Sequence, residues 1–265
     1  MTDSVGPVVP SSGTLRPVTL TGARLTGGFW GRRQSVNSTE TLAHCLAWQE
    51  KEGWTGNFTA APAGRRGREF ADSEIYKLAE AMCWDSVRND HGERLAYLTG
   101  LVEVGRRAAD QVCAEFAEGA NPGICGHPEI ETGLVELYRA TGEERYLDQA
   151  RRFVGRRGYR SLPEHEFGWA YFQDDAPVRG AEVFRGHAVR ALYLAAGAVD
   201  VAVESGDRDL LNAVRDQFDR TIARRTYLTG GMGSRHLDES FGDDFVLPPP
   251  ARRATATSWN ACCTT

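Results

Sequence analysis

Two helical hairpins in the middle of the chain constrain its fold more than any other feature. Ile130, Leu134, Leu137 and Tyr138 recur at helical spacing and share one face. The break Ala140-Thr141-Gly142 follows, and Tyr146, Leu147, Ala150, Phe153 and Val154 make a second stripe. The pattern then repeats. Val189, Leu192, Tyr193, Ala196 and Val199 lead to Ser205-Gly206-Asp207, and Leu210, Leu211, Val214, Phe218 and Ile222 return. Each is a pair of apolar-faced helices joined by a short Gly-containing turn. Such pairs build either an open solenoid or a closed toroid. Solenoid repeats keep a fixed period. Here long irregular loops, Arg157 to Arg179 and Thr229 to Pro250, interrupt the hairpins. A toroid carries such loops at one rim, where they build a site, so the pattern favours the toroid.

The rest of the chain reads as mostly α. Val18 to Leu25 alternates weakly, as a short strand or an extended lead-in. Gly27-Gly28-Phe29-Trp30-Gly31 reads as a turn carrying two aromatics. Helical spacing begins at Ser35, continues through Leu42, Cys45 and Leu46, and stops at Gly53. Asp72-Ser73 offers a cap for a helix with Ile75, Leu78, Ala79 and Met82 on one face. Leu95 to about Phe116 is a further helix. At 265 residues and 41% hydrophobic, the chain is long enough for a sizeable core, as one large domain or two.

Composition narrows the function classes. The net charge of −5 argues against a nucleic-acid-coating protein. No apolar run approaches the ~18 residues of a membrane span. The first thirteen residues lack a basic start and an apolar run, which predicts a cytoplasmic protein whose six cysteines are mostly thiols. Of 31 basic residues only Lys51 and Lys77 are lysines, so lysine chemistry is a poor candidate. No G-x-S-x-G elbow, P-loop or complete dinucleotide fingerprint is present.

The loop from Thr229 to Pro248 is the richest in chemistry. Gly230, Gly231 and Gly233 let the backbone approach a ligand, and His236, Asp238, Glu239, Asp243 and Asp244 follow. A carboxyl beside Phe241 or Phe245 could have a raised pKa and serve as a general acid; the same residues also make an ordinary solvated acidic loop. His127, in Gly126-His127-Pro128-Glu129, stands at a helix mouth, aimed at a rim or simply part of a cap. His187 opens an apolar helix, where a buried, hydrogen-bonded ring is the commoner outcome. The stretch Tyr171 to Arg179 mixes rings with polar groups, which suits sugars as well as a packed loop. Adjacent Cys262 and Cys263 could both ligate zinc, given further donors.

Taken in order, several of these motifs resemble glycoside hydrolase family 127, the β-L-arabinofuranosidases. They are Gly28-Phe29-Trp30-Gly31, Phe70 to Lys77, Gly126 to Glu131, Gly186-His187-Ala188-Val189-Arg190-Ala191, and Tyr227 to Ser234 running on to Glu239-Ser240-Phe241 and Leu247-Pro248. The resemblance implies an incomplete (α/α)6 barrel. With it the chain divides into a Ser/Gly/Pro/Thr-rich segment at 1–17 whose composition reads as flexible, a partial catalytic domain at 18–250, and a tail at 251–265 that, with two Arg, no acid and no helical stripe, reads as truncated or altered. The resemblance also implies retaining hydrolysis of terminal β-L-arabinofuranosides on plant-derived oligosaccharides. Glu239 matches the family's general acid/base, and His127 and His187 match sugar-contacting positions. Cys262 would be the nucleophile, and Cys262 and Cys263 would be zinc ligands.

The chain also departs from the family pattern. Where the family carries E-[TS]-C, this chain reads Ala251 to Thr257 with neither residue. The C-x-C-C-P motif has only an echo at Trp259 to Thr264. The H-E-L-Y-C-x-G-H segment is absent, with Asn89-Asp90-His91-Gly92 in its place, and Asp175 stands where histidine is usual. The chain alone is therefore expected to hydrolyse poorly, and uncovered helix faces to favour self-association. The rival classes are a non-catalytic helical-repeat binding module and another (α/α)6 sugar enzyme.

Overall fold

A computed structural model describes residues 8–19, 22–58, 64, 66–67, 71–89 and 92–246. The tail at 251–265, with Cys262 and Cys263, lies outside the described residues, as does Leu247-Pro248. The chain divides into two compact units, one of Pro17–Asp110 and one of Val8–Arg16 with the chain from Gln111 onward.

In the first unit, helix α1 (Gly28–Val36) runs through one π-helical turn at Asn37–Thr41 into α2 (Leu42–Lys51). Helix α3 (Ala71–Ser86) follows, and then α4 (Gly92–Glu115), whose last residues belong to the second unit. Leu42, Leu78, Met82 and Leu98 form the core, with Cys45, Leu46, Ala79 and Tyr97 partly buried against it. Beside it Ser38 Oγ donates to Asp85 Oδ2 at 2.9 Å, and Asn89 Nδ2 donates to Asp85 Oδ1 at 2.9 Å.

The second unit holds the two hairpins. They are α5 (Ile130–Thr141) with α6 (Glu144–Arg156), and α7 (Ala188–Ser205) with α8 (Arg208–Arg225). Gly142 and Gly206 end α5 and α7 with φ of 74° and 68°, the left-handed turn that glycine adopts without a Cβ penalty. Asp207 caps α8, accepting from the Leu210 N–H at 3.0 Å. Helix α7 packs against α5, α6 and α8. Ala191, Leu192, Leu194, Ala195, Ala198, Val201 and Ala202 are all buried, so it is apolar nearly all round and lies inside. Helix α6 buries Tyr146, Leu147, Ala150, Phe153 and Val154 and turns Arg145, Arg151 and Arg152 outward, as an outer helix does. At Gly197 a Cβ would lie 2.8 Å from the Glu131 Cβ, so glycine lets α7 approach α5 closely.

Two sets of buried charges brace this unit. Arg139 on α5 donates to Glu136 at 2.6 Å, Asp200 at 2.9 Å and Glu204 at 2.7 Å. Glu204 also accepts from the Ser11 N–H at 3.1 Å, which ties the Val8–Arg16 stretch down. Arg157, fully buried, donates to the carbonyls of Phe172 at 2.9 Å and Cys125 at 2.6 Å and faces Glu131 at 3.8 Å.

Two local expectations are corrected, and a choice left open is settled. Gly28 to Gly31 is not a turn but the opening of α1, because Gly27 and Gly28, with φ of 149° and 68°, complete the reversal before Phe29. Of the two readings of Val18 to Leu25 the described residues fit the extended lead-in, since they form no strand and Val18 and Leu25 lie exposed. Asp72 falls inside the first turn of α3 rather than before it. Among the described residues the only β-type pairings are two isolated bridges, His187 with Ser240 and Thr226 with Met232.

Candidate active site

The bridge at His187 brings the chemistry together. Helix α7 starts without a side-chain cap, and its first N–H, on Ala188, needs an acceptor. The carbonyl of Glu239 supplies it at 2.9 Å, and the Phe241 N–H donates back to the Gly186 carbonyl at 2.9 Å. These bonds hold the loop after α8 against the mouth of α7. Glu239 has a φ of 54°, the left-handed region that a side-chain-bearing residue rarely occupies. Its carboxylate then lies 3.0 Å from His187 Nε2. The ring is 9% exposed and the carboxylate 46%, so one partner is anchored and the other open to a ligand.

The backbone around His187 is tightly built. Gly186 has a φ of 68°, and a Cβ there would sit 1.7 Å from the Ala170 carbonyl oxygen. Buried Gln173, itself at a φ of 56°, donates through Nε2 to the carbonyls of Arg185 at 3.0 Å and His187 at 3.3 Å. Tyr171 presents its ring edge-on to His187, centroids 5.4 Å apart, and stacks on His165 at 4.8 Å. Buried Asp174 accepts from the N–H groups of Gly158 and Leu162, each at 2.8 Å, and so shapes the loop beneath these rings. Asp175 forks with Arg185 at 2.6 and 2.7 Å.

His127 precedes α5, its ring half-buried and 5.8 Å from the Tyr193 ring. The two histidines are near enough that His187 depresses the protonation of His127. Burial is the main force holding His127 below the ordinary value of 6.5, with Arg190 and His187 adding to it against Glu129. Burial also leads at His187, where Arg190 adds to it against Glu239 and Asp238. A neutral ring that bonds a carboxylate through Nε2 carries its proton there, so His187 donates to Glu239.

The other acids of the loop do different work. Asp244 pairs with Arg224 and Arg225 at 3.1 and 2.8 Å, and exposed Asp243 lies 3.5 Å from Arg235. Asp238 Oδ1 accepts from the Ser240 N–H at 3.2 Å, and His236 is exposed. Phe241 is buried while Phe245 is exposed. Sequence reasoning missed Gln173, Asp174 and His165 as parts of this rim. Their only signal was membership of the aromatic, polar loop before Arg179. Among the described residues no three His, Cys, Asp or Glu side chains are grouped to hold a metal ion. The described residues thus do not supply a zinc site, and Cys262 and Cys263 lie outside them.

The helical architecture is shared with solved structures. A GH127 β-arabinofuranosidase superposes with a TM-score of 0.74 at 24% identity, over 88% of this chain and 47% of that one. A GH127 β-L-arabinofuranosidase from Geobacillus stearothermophilus T6 gives 0.68 at 24%, over 85% and 49%. The fold is therefore mostly α, an incomplete (α/α)6 barrel. Residues 93–264 match the family model for the β-L-arabinofuranosidase GH127 catalytic domain, and the chain belongs to that family. A non-reducing end β-L-arabinofuranosidase of Bifidobacterium longum subsp. longum is 37% identical over 165 residues, 56% of this chain. The chain spans 25% of that relative and under half of the two structures above.

Proposed function

We propose that this chain carries the acid/base side of a retaining glycoside hydrolase site for terminal β-L-arabinofuranosides of plant-derived oligosaccharides. The observation that carries the reading is the 3.0 Å contact between Glu239 and His187 at the mouth of α7. Glu239 protonates the leaving glycosidic oxygen in the first step and takes a proton from water in the second. His187, neutral and donating through Nε2, fixes the carboxylate's direction. His127 and His187 orient sugar hydroxyls. The family resemblance gives the nucleophile's place to Cys262 and zinc to Cys262 and Cys263. No step here runs through the metal.

The relatives named as β-L-arabinofuranosidases support the sugar class. Among the described residues Cys45, Cys83, Cys113 and Cys125 are thiols and not disulfides, which suits the reducing cytoplasm. No described helix is long and apolar enough to cross a membrane. Phe29 and Trp30 lie exposed on α1, which favours pairing with a second copy of this chain.

The test is saturation-transfer NMR of methyl β-L-arabinofuranoside with the full chain. Binding is expected, with loss in His187→Ala, and only negligible release of nitrophenol from the aryl glycoside. Absence of binding, or equal binding of an unrelated hexoside, would remove the assignment. Strong nitrophenol release that is lost in Glu239→Gln would show that the chain is a complete catalyst.

A further inference from the structure

Arg190 sits where helix electrostatics disfavour it. It lies in the first turn of α7, whose N-terminal end carries partial positive charge, so a cation there is opposed by the helix dipole. Its contacts explain its presence. Nη1 donates to the Gly126 carbonyl at 2.9 Å, the residue directly before His127. The guanidinium also lies 5.4 Å from the Tyr171 ring centroid and 5.2 Å from that of Phe172. Tyr171 in turn meets His187 edge-on at 5.4 Å. One planar cation thus bonds the backbone beside one imidazole and lies within cation–π reach of the ring that meets the other.

We propose that Arg190 is the positioning residue that sets His127 and His187 in register across the sugar-binding rim. The proposal rests on the function proposed above. It adds that neither histidine is placed by its own loop alone. Arg157 grips the neighbouring Cys125 carbonyl at 2.6 Å and the Phe172 carbonyl at 2.9 Å, but it is wholly buried and anchors backbone. Arg190 is the guanidinium whose charge reaches both rings. The groups acting on His187 are Arg190 from its own helix and Glu239 and Asp238 from the loop after α8; those on His127 are Glu129, Arg190 and His187. A lysine would keep the charge but lose the planar guanidinium and its directed bond.

The experiment follows the imidazole resonances of the full chain, labelled at histidine, in wild type, Arg190→Gln and Arg190→Lys. Far-UV circular dichroism checks that each variant is folded. In Arg190→Gln the His127 and His187 signals should both move, and both rings should titrate at higher pH. In Arg190→Lys the titrations should return toward wild type but the ring shifts should not. Methyl β-L-arabinofuranoside should bind either variant about tenfold more weakly, the worth of one or two hydrogen bonds. If Arg190→Gln does not fold, Arg190→Lys decides, since it must displace both signals. Unmoved signals, or movement of His187 alone, overturns the proposal. Should wild type bind no arabinofuranoside while both rings answer to Arg190, the positioning role stands and the sugar reading falls.

Discussion

The two units solve the burial of polar groups differently. The first gathers a small apolar core of Leu42, Leu78, Met82 and Leu98 and buries the bonded pair Ser38 and Asp85 beside it, with exposed Asn89 donating to Asp85 from outside. The second threads full charges through its interior. Arg139 is held by three carboxylates, and Arg157 by two carbonyls with Glu131 nearby. The candidate site lies on the second. Ion networks of this sort cost desolvation and add little net stability, but they fix geometry, because any misplacement strands a charge. A scaffold that must hold two imidazoles and a carboxylate in place gains more from such anchors than from greasy packing.

That contrast can be broken in a graded way. Arg139→Ala should be the most damaging change, about 3–5 kcal/mol, because Asp200 and Glu204 would stay buried without their cation. Urea unfolding of the full chain would measure it, and a loss below ~1 kcal/mol would contradict the anchoring role. Met82→Ala should cost the first unit about 2–3 kcal/mol, at the low end for such truncations because the core around it is small. Gly186→Ala should cost roughly 1–3 kcal/mol from strain at positive φ, and it should also displace the His187 resonance, since the added methyl would meet the Ala170 carbonyl. Ser38→Ala should cost only about 1–2 kcal/mol, the loss of one buried hydrogen-bond donor to Asp85. Its effect should leave methyl β-L-arabinofuranoside binding unchanged.

The smallest effect is in pH. The folded-state pKa values of His127 and His187 lie below the ordinary 6.5, burial being the main cause. The unfolded chain therefore takes up protons first. The contribution of these rings is present above pH 6.5 and is lost as pH falls from there through their folded values. Burial raises the carboxyls of Glu131, Glu136 and Asp200, which act with the opposite sign. The histidine part is thus read as wild type minus His127→Gln/His187→Gln in denaturant melts at pH 7.5, 6.5 and 5.5. The difference should shrink toward the acid end; a flat difference would contradict the burial of the two rings.

Much of the fold was legible because helix pairs announce themselves twice, in the apolar stripe and in the glycine that ends it. Tyr146 to Val154 and Gly142 sit where the spacing put them, as do Leu192 to Val201 and Gly206. The misread stretch is one where glycine decides locally, since Gly27-Gly28 absorbed a whole turn; the weak alternation of Val18 to Leu25 left strand and lead-in open, and among the described residues no strand pairs with it. The site was less legible. Nothing in spacing joins Glu239 to His187; the family resemblance singled out both, and main-chain bonds between two distant loops bring them together. Gln173 and Arg190 carried only the signal of the stretches they stand in, the Tyr171 to Arg179 loop and the Gly186 to Ala191 motif, and neither was given a role, since a glutamine in a loop and an arginine in a first helical turn both read as surface residues.

The left-handed backbone at Glu239 has a mechanical consequence. The same residue offers its carbonyl to the opening N–H of α7 and its carboxylate to His187, so the acid and the helix mouth move as one piece. Swinging that loop aside would unpeel the helix's first turn. It is a fixed jaw and not a lid.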